Sequence, residues 1–120
     1  MTLQLQTTEQ IPSLSGRFGS FPFIFRKVMK MVAHIFVSGR VQGVGFRYTV
    51  LQKALMRNVT GWVRNLDDGR VEILAEGTKD QLDDFIASLH IGNNPFIKIE
   101  DIYVEFQDRS PGFKKFSVRY

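Results

Sequence analysis

The stretch GWVRNLDDGRVEILAE (residues 61–76) most narrows the folds open to this chain. An Asp-Gly pair between two branched, apolar runs is the local signal of a tight β-hairpin. In the second run Val71, Ile73 and Ala75 alternate with Glu72 and Glu76, which predicts one buried face and one wet face. An amphipathic segment lies on either side of this hairpin. Before it, Phe46, Val50, Leu51, Ala54 and Leu55 fall on one helical face. After it, Leu82, Phe85, Ile86 and Leu89 form an apolar stripe. There Thr78 and Gln81 have the spacing of a capping box, and Gly92 is placed to end the helix.

Further strands frame these elements. VAHIFVS (residues 32–38) reads as one. FIKIEDIYVEF (residues 96–106) reads as another, whose inward phase slips between Ile99 and Ile102 and so predicts a bulge. FKKFSVRY closes the sequence with Phe116, Val118 and Tyr120 in alternation. Two helices with one apolar face each need a sheet to cover. The expected fold is therefore α+β, a ferredoxin-like two-layer βαββαβ sandwich. Its mostly antiparallel sheet carries both helices on one face. That architecture hosts many activities, so function has to be argued from side chains.

Residues 1–30 stand outside this pattern. They show no sustained period, contain Pro12 and Pro22, and predict a disordered N-terminal extension to a domain spanning residues 31–120. An organellar transit peptide is one reading of this arginine-enriched stretch. A start placed too far upstream, with Met29 or Met31 as the real beginning, is the other. A secretory signal is disfavoured, because no basic start precedes the apolar stretch. The net charge of +4 belongs largely to the extension, where Arg17, Arg26, Lys27 and Lys30 face only Glu9. The nearly neutral remainder gives little support to a nucleic-acid partner. There is no cysteine, which removes disulfides and thiolate metal sites and fits a reducing, cytoplasmic compartment. No apolar run approaches the roughly 20 residues of a membrane span.

Between the first strand and the first helix runs SGRVQGVGFR (residues 38–47). Glycines at 39, 43 and 45 let backbone N–H groups converge, and a helix start adds favourable field for an anion. The N–H groups of Gln42, Gly43, Val44, Gly45, Phe46 and Arg47 are the candidate donors. The Arg47 guanidinium offers a fork for phosphate oxygens. A plain strand–helix connection with a surface arginine is the competing account. The loop lacks the Gly-Lys-Ser/Thr ending of a nucleotide P-loop, and the spacing of a dinucleotide fingerprint is also absent. Asp67 and Asp68 beside Gly69 read as turn residues. His34 and His90 read as structural or surface residues, and no metal site is expected. Trp62 and Phe46 read as core. Arg40 and Arg64 read equally as positive field near the mouth or as surface charge.

VSGRVQGVGFR (residues 37–47) and GWVRNLDDGRVEILAEG (residues 61–77) together resemble the two signature patterns of the acylphosphatase family. The likeness extends over residues 31–120. It implies hydrolysis of small acyl phosphates to a carboxylate and inorganic phosphate, with no metal; no cofactor is expected, and the expected state is a cytoplasmic monomer. By the same resemblance, Arg47 and the loop N–H groups hold the phosphate, and Asn65 orients the attacking water. The chemistry is reasonable on its own terms. A carboxylate leaving group, with a pKa of roughly 4 to 5, departs without a general acid. Phosphoryl transfer asks mainly for positioning and electrostatic stabilisation. The alternatives are a non-catalytic module binding phosphate or carbamoyl phosphate, and an RNA-binding domain of similar architecture. RVEILAE has no aromatic stacking residue for the latter.

Overall fold

A computed structural model describes residues 29–120. Of the extension expected over residues 1–30, residues 1–28 lie outside the described residues, and Lys30 already opens the first strand. The elements follow in the order β1 (Lys30–Arg40), α1 (Phe46–Met56), β2 (Thr60–Asn65), β3 (Val71–Thr78), α2 (Lys79–Ser88), β4 (Lys98–Gln107) and β5 (Phe116–Arg119). The five-stranded sheet has the order β4-β1-β3-β2-β5. Every neighbouring pair is antiparallel except β2 and β5, which are parallel, so the sheet is mixed.

The core lies between this sheet and the two helices. Ile35 and Val37 of β1, Val63 of β2 and Ile73 of β3 meet Phe46, Val50, Leu82 and Phe85 from the helices. On α1 the buried positions are Phe46, Val50 and Ala54, spaced by four. Leu55 is 54% exposed, because one residue further round the helix is a turn of about 100° away from that stripe. Thr78 and Gln81 form the expected capping box at the start of α2. The helix ends at Ser88, ahead of Gly92. Side chains take up the carbonyls at and just after its end: Lys53 Nζ donates to the Ser88 and Ile91 oxygens, and Asn93 Nδ2 to the Leu89 oxygen.

The predicted slip in β4 is present as a bulge. Ser38 pairs with Asp101 and Gly39 with Ile99, which leaves Glu100 as the extra residue.

The wet face expected of β3 is not observed. Glu72 and Glu76 are both buried, Glu76 to 2% exposure. A central strand has neighbours on both sides, and here chain segments also cover its second face. Val32, Trp62 and Leu74 form a small cluster there with Phe113 packed against it. The Glu76 carboxylate accepts bonds from the Ser110 hydroxyl at 2.6 Å, the Phe113 N–H at 2.8 Å and the Gly112 N–H at 3.0 Å. Glu72 is met by His34 Nε2 and Arg64 Nε, each at 2.6 Å. Burial pushes both carboxyls up, but these donors outweigh it and hold both below the usual carboxylate range. Among the described residues no helix is long and apolar enough to cross a membrane.

Candidate active site

Strand direction assembles the site. β1 and β2 both run antiparallel to β3, and β5 runs parallel to β2. The C-terminal ends of β1, β2 and β5 therefore converge on one edge of the sheet. α1 begins at that same edge. A pocket of about 450 Å³ lies there, lined by Gly43, Gly45, Arg47, Tyr48, Asn65 and Tyr120 among others. The glycine-rich loop and Asn65, 18 residues further along the chain, are thus brought to one cavity, as the topology predicts.

The loop reaches this position through Gly43 and Gly45, at φ +74° and +83°, and Gly45 forms the cap of α1. No side chain caps that helix, and no acidic residue stands in its first turn. The first bond into α1 runs from the Thr49 N–H to the Gly45 oxygen at 3.1 Å. Among the described residues, the N–H groups of Gly43, Val44, Gly45, Phe46 and Arg47 have no hydrogen-bond partner. Four of these residues, Gly43, Gly45, Phe46 and Arg47, line the pocket, where the positive end of the helix dipole also lies.

Around this backbone the side chains divide by task. Phe46 is buried in the core and Val44 packs against it. Gln42 turns away from the pocket: its Nε2 donates to the Leu66 oxygen at 2.7 Å and to the Arg70 oxygen at 2.9 Å. These bonds tie the loop to the β2–β3 hairpin, immediately after Asn65. Asn94 braces the opposite flank, donating from Nδ2 to the Val44 oxygen at 3.1 Å. Arg47 Nη1 donates to the Arg119 oxygen at 3.1 Å, and its guanidinium carbon lies 4.6 Å from the centre of the Tyr120 ring. Asn65 lines the pocket, and its Oδ1 is buried with no partner among the described residues. An unpaired buried acceptor costs about 1–3 kcal/mol, so its presence calls for an explanation.

The lesser candidates separate from this site. Arg64 points to the opposite face of the sheet, bound to Glu72 and lying over Trp62 at 5.2 Å, so it adds nothing at the pocket mouth. Asp68 is a turn residue, accepting from the Arg70 N–H at 3.1 Å and from its Nε at 3.0 Å. Among the described residues no three His, Asp or Glu side chains are grouped to hold a metal ion. Two contributors lie beyond the two motifs. Tyr120 was traceable in principle, since its alternation with Phe116 and Val118 puts it on the helix side. Asn94 has no sequence signal, because its contact spans fifty residues.

Residues 33–118 match the family model described as Acylphosphatase. The chain belongs to the acylphosphatase family. It is 50% identical over 86 residues to the acylphosphatase of Bacillus licheniformis, a match covering 72% of this chain and 94% of that one. The crystal structure of acylphosphatase from Bacillus subtilis aligns with a TM-score of 0.71 at 48% identity, over 75% of this chain and 99% of that one. An acylphosphatase structure from Coxiella burnetii aligns at 0.69 and 35% identity, over 76% of this chain and 94% of that one. The two acylphosphatase motifs read from the sequence therefore sit in an acylphosphatase fold.

Proposed function

We propose that this chain, as an acylphosphatase, hydrolyses small acyl phosphates to a carboxylate and inorganic phosphate without a metal ion. In this reading the phosphoryl group lies against the N–H groups of residues 42–47, and the Arg47 guanidinium clamps its oxygens. The Asn65 amide orients a water in line with the acyl oxygen. That water attacks phosphorus, and its proton passes to a phosphoryl oxygen. The bond between phosphorus and the acyl oxygen breaks, and the electron pair leaves with the carboxylate. Such a leaving group needs no protonation, and positioning with charge stabilisation carries the reaction.

The observation that carries this proposal is a meeting of polar groups at one pocket: Gly43, Gly45, Phe46 and Arg47 with unpartnered N–H groups, the Arg47 guanidinium, and Asn65, whose Oδ1 is buried without a partner. Action as a monomer belongs to the same reading. The absence of cysteine fits a cytoplasmic setting.

The test is hydrolysis of acetyl or benzoyl phosphate by the purified chain in excess EDTA, with Arg47→Ala alongside. Turnover in EDTA is expected, with kcat/KM falling at least about 10²-fold in the variant. Phosphate binding without turnover would instead make the chain a binding module.

A further inference from the structure

The geometry points to Asn94, outside both signature motifs, as a positioning residue for the phosphate loop. The inference rests on the proposal that the loop N–H groups receive the phosphate.

Asn94 is itself held in a defined orientation. Its Oδ1 accepts from the Phe96 N–H at 2.8 Å and from the Ile97 N–H at 3.2 Å. With the oxygen committed to its own turn, the Nδ2 group is directed at the Val44 carbonyl, 3.1 Å away. The turn is anchored in its turn, because Lys53 Nζ donates to the Ile91 oxygen at 2.6 Å and to Asn93 Oδ1 at 3.0 Å. A chain of bonds thus runs from the body of α1 through the α2–β4 connection to the loop that starts α1.

The Val44 carbonyl shares a planar trans peptide with the Gly45 N–H, and in such a peptide the two bonds point in opposite directions. Asn94 borders a separate polar concavity with His90 and Lys98. Gly45 borders the pocket with Arg47 and Asn65. The Val44–Gly45 peptide stands between the two. Holding its carbonyl toward Asn94 keeps its N–H turned toward the pocket. One of the two torsions that turn this peptide is the φ of Gly45, at +83°, where glycine meets little steric resistance, so an external hold on the carbonyl matters here.

Asn94→Asp separates positioning from folding. An aspartate retains an oxygen for the Phe96 and Ile97 N–H groups but has no donor for Val44. Asn94→Ser keeps a short, uncharged hydroxyl that caps the turn but, lacking the second arm of the amide, does not also reach Val44. In both variants KM and the dissociation constant for inorganic phosphate should rise about three- to tenfold, the worth of one hydrogen bond. kcat should stay within about twofold, and the melting midpoint within a few degrees. In an amide NMR titration with inorganic phosphate, the Gly45 N–H signal should shift strongly in the wild-type chain and less in the variants.

Wild-type phosphate affinity and an undiminished Gly45 shift in both variants would overturn the inference. So would a defect confined to Asn94→Asp, because charge rather than the lost donor would then be the cause. No shift at Gly45 in the wild-type chain would overturn the phosphate-loop proposal itself, and this inference with it.

Discussion

The two helices of this fold begin in opposite ways. At α2 the Thr78 hydroxyl accepts from the Gln81 N–H at 3.2 Å, and Gln81 Oε1 accepts from the Thr78 N–H at 2.9 Å. Asp80 adds a negative charge in that first turn. At α1 the cap is Gly45 in the left-handed region, with no capping side chain and no acid. Every helix start leaves donors without intrahelical partners, and capping them contributes about 1 kcal/mol. α2 takes that stability, whereas α1 forgoes it at the edge where Arg47 and Asn65 stand. Polar groups closed by the protein itself mark structure here, and polar groups left open mark the candidate site.

Asn65→Ala tests that distinction where its effect should be largest. Truncation removes the amide proposed to orient the water, so kcat should fall about 10- to 10²-fold, while inhibition by inorganic phosphate stays within about twofold. It also removes an unpaired buried oxygen. Stability should therefore hold or rise slightly, a sign opposite to that of most truncations. Full activity in Asn65→Ala would remove this residue from the mechanism.

The buried carboxylates of β3 give the converse case, polar groups fully closed. Glu76→Gln keeps the shape but loses the charge assistance of the Ser110, Gly112 and Phe113 bonds, and should cost about 1–2 kcal/mol at pH 7 with kcat/KM unchanged. Both Glu72 and Glu76 are held below the usual carboxylate range in the folded chain. Their stabilisation is thus complete above the unfolded value of about 4.3 and is lost as pH falls through the lower folded values. Denaturant unfolding should show the gap between wild type and Glu76→Gln narrowing from pH 7 to pH 3. An equal gap at both values would mean that shape rather than charge holds the site.

Sequence reasoning succeeded where a feature is encoded locally and failed where it depends on distant partners. The Thr78–Gln81 box and the hairpin turn at Asp68 are made by residues two or three apart. The β4 bulge showed because inserting Glu100 shifts the apolar phase between Ile99 and Ile102. Arg47 and Asn65 were legible through motifs, and strand direction alone brings them to one edge. Glu72 and Glu76 were misjudged because alternation reports a strand's period and not what covers each face. Their partners include His34, Ser110 and Phe113, each more than thirty residues away. Asn94 escaped for the same reason.

The smallest expected effects come from exchanging the two helix starts. Thr78→Ala should lower stability by about 1 kcal/mol and leave kcat/KM untouched, since it opens a helix start remote from the pocket. Tyr48 stands three residues after the α1 cap, as Gln81 does after Thr78, and it is 64% exposed at the pocket. Tyr48→Glu supplies the acid that α1 lacks and should add about 0.3–1 kcal/mol through the helix dipole. The same carboxylate competes with the substrate for that field, so KM should rise about three- to tenfold and recover partly in high salt. A gain in stability paired with a loss of affinity is what an open helix start used for an anion requires. If Tyr48→Glu raised stability while KM stayed fixed at low salt, the phosphate would not sit at the start of α1, and the bare cap at Gly45 would be only a feature of the turn.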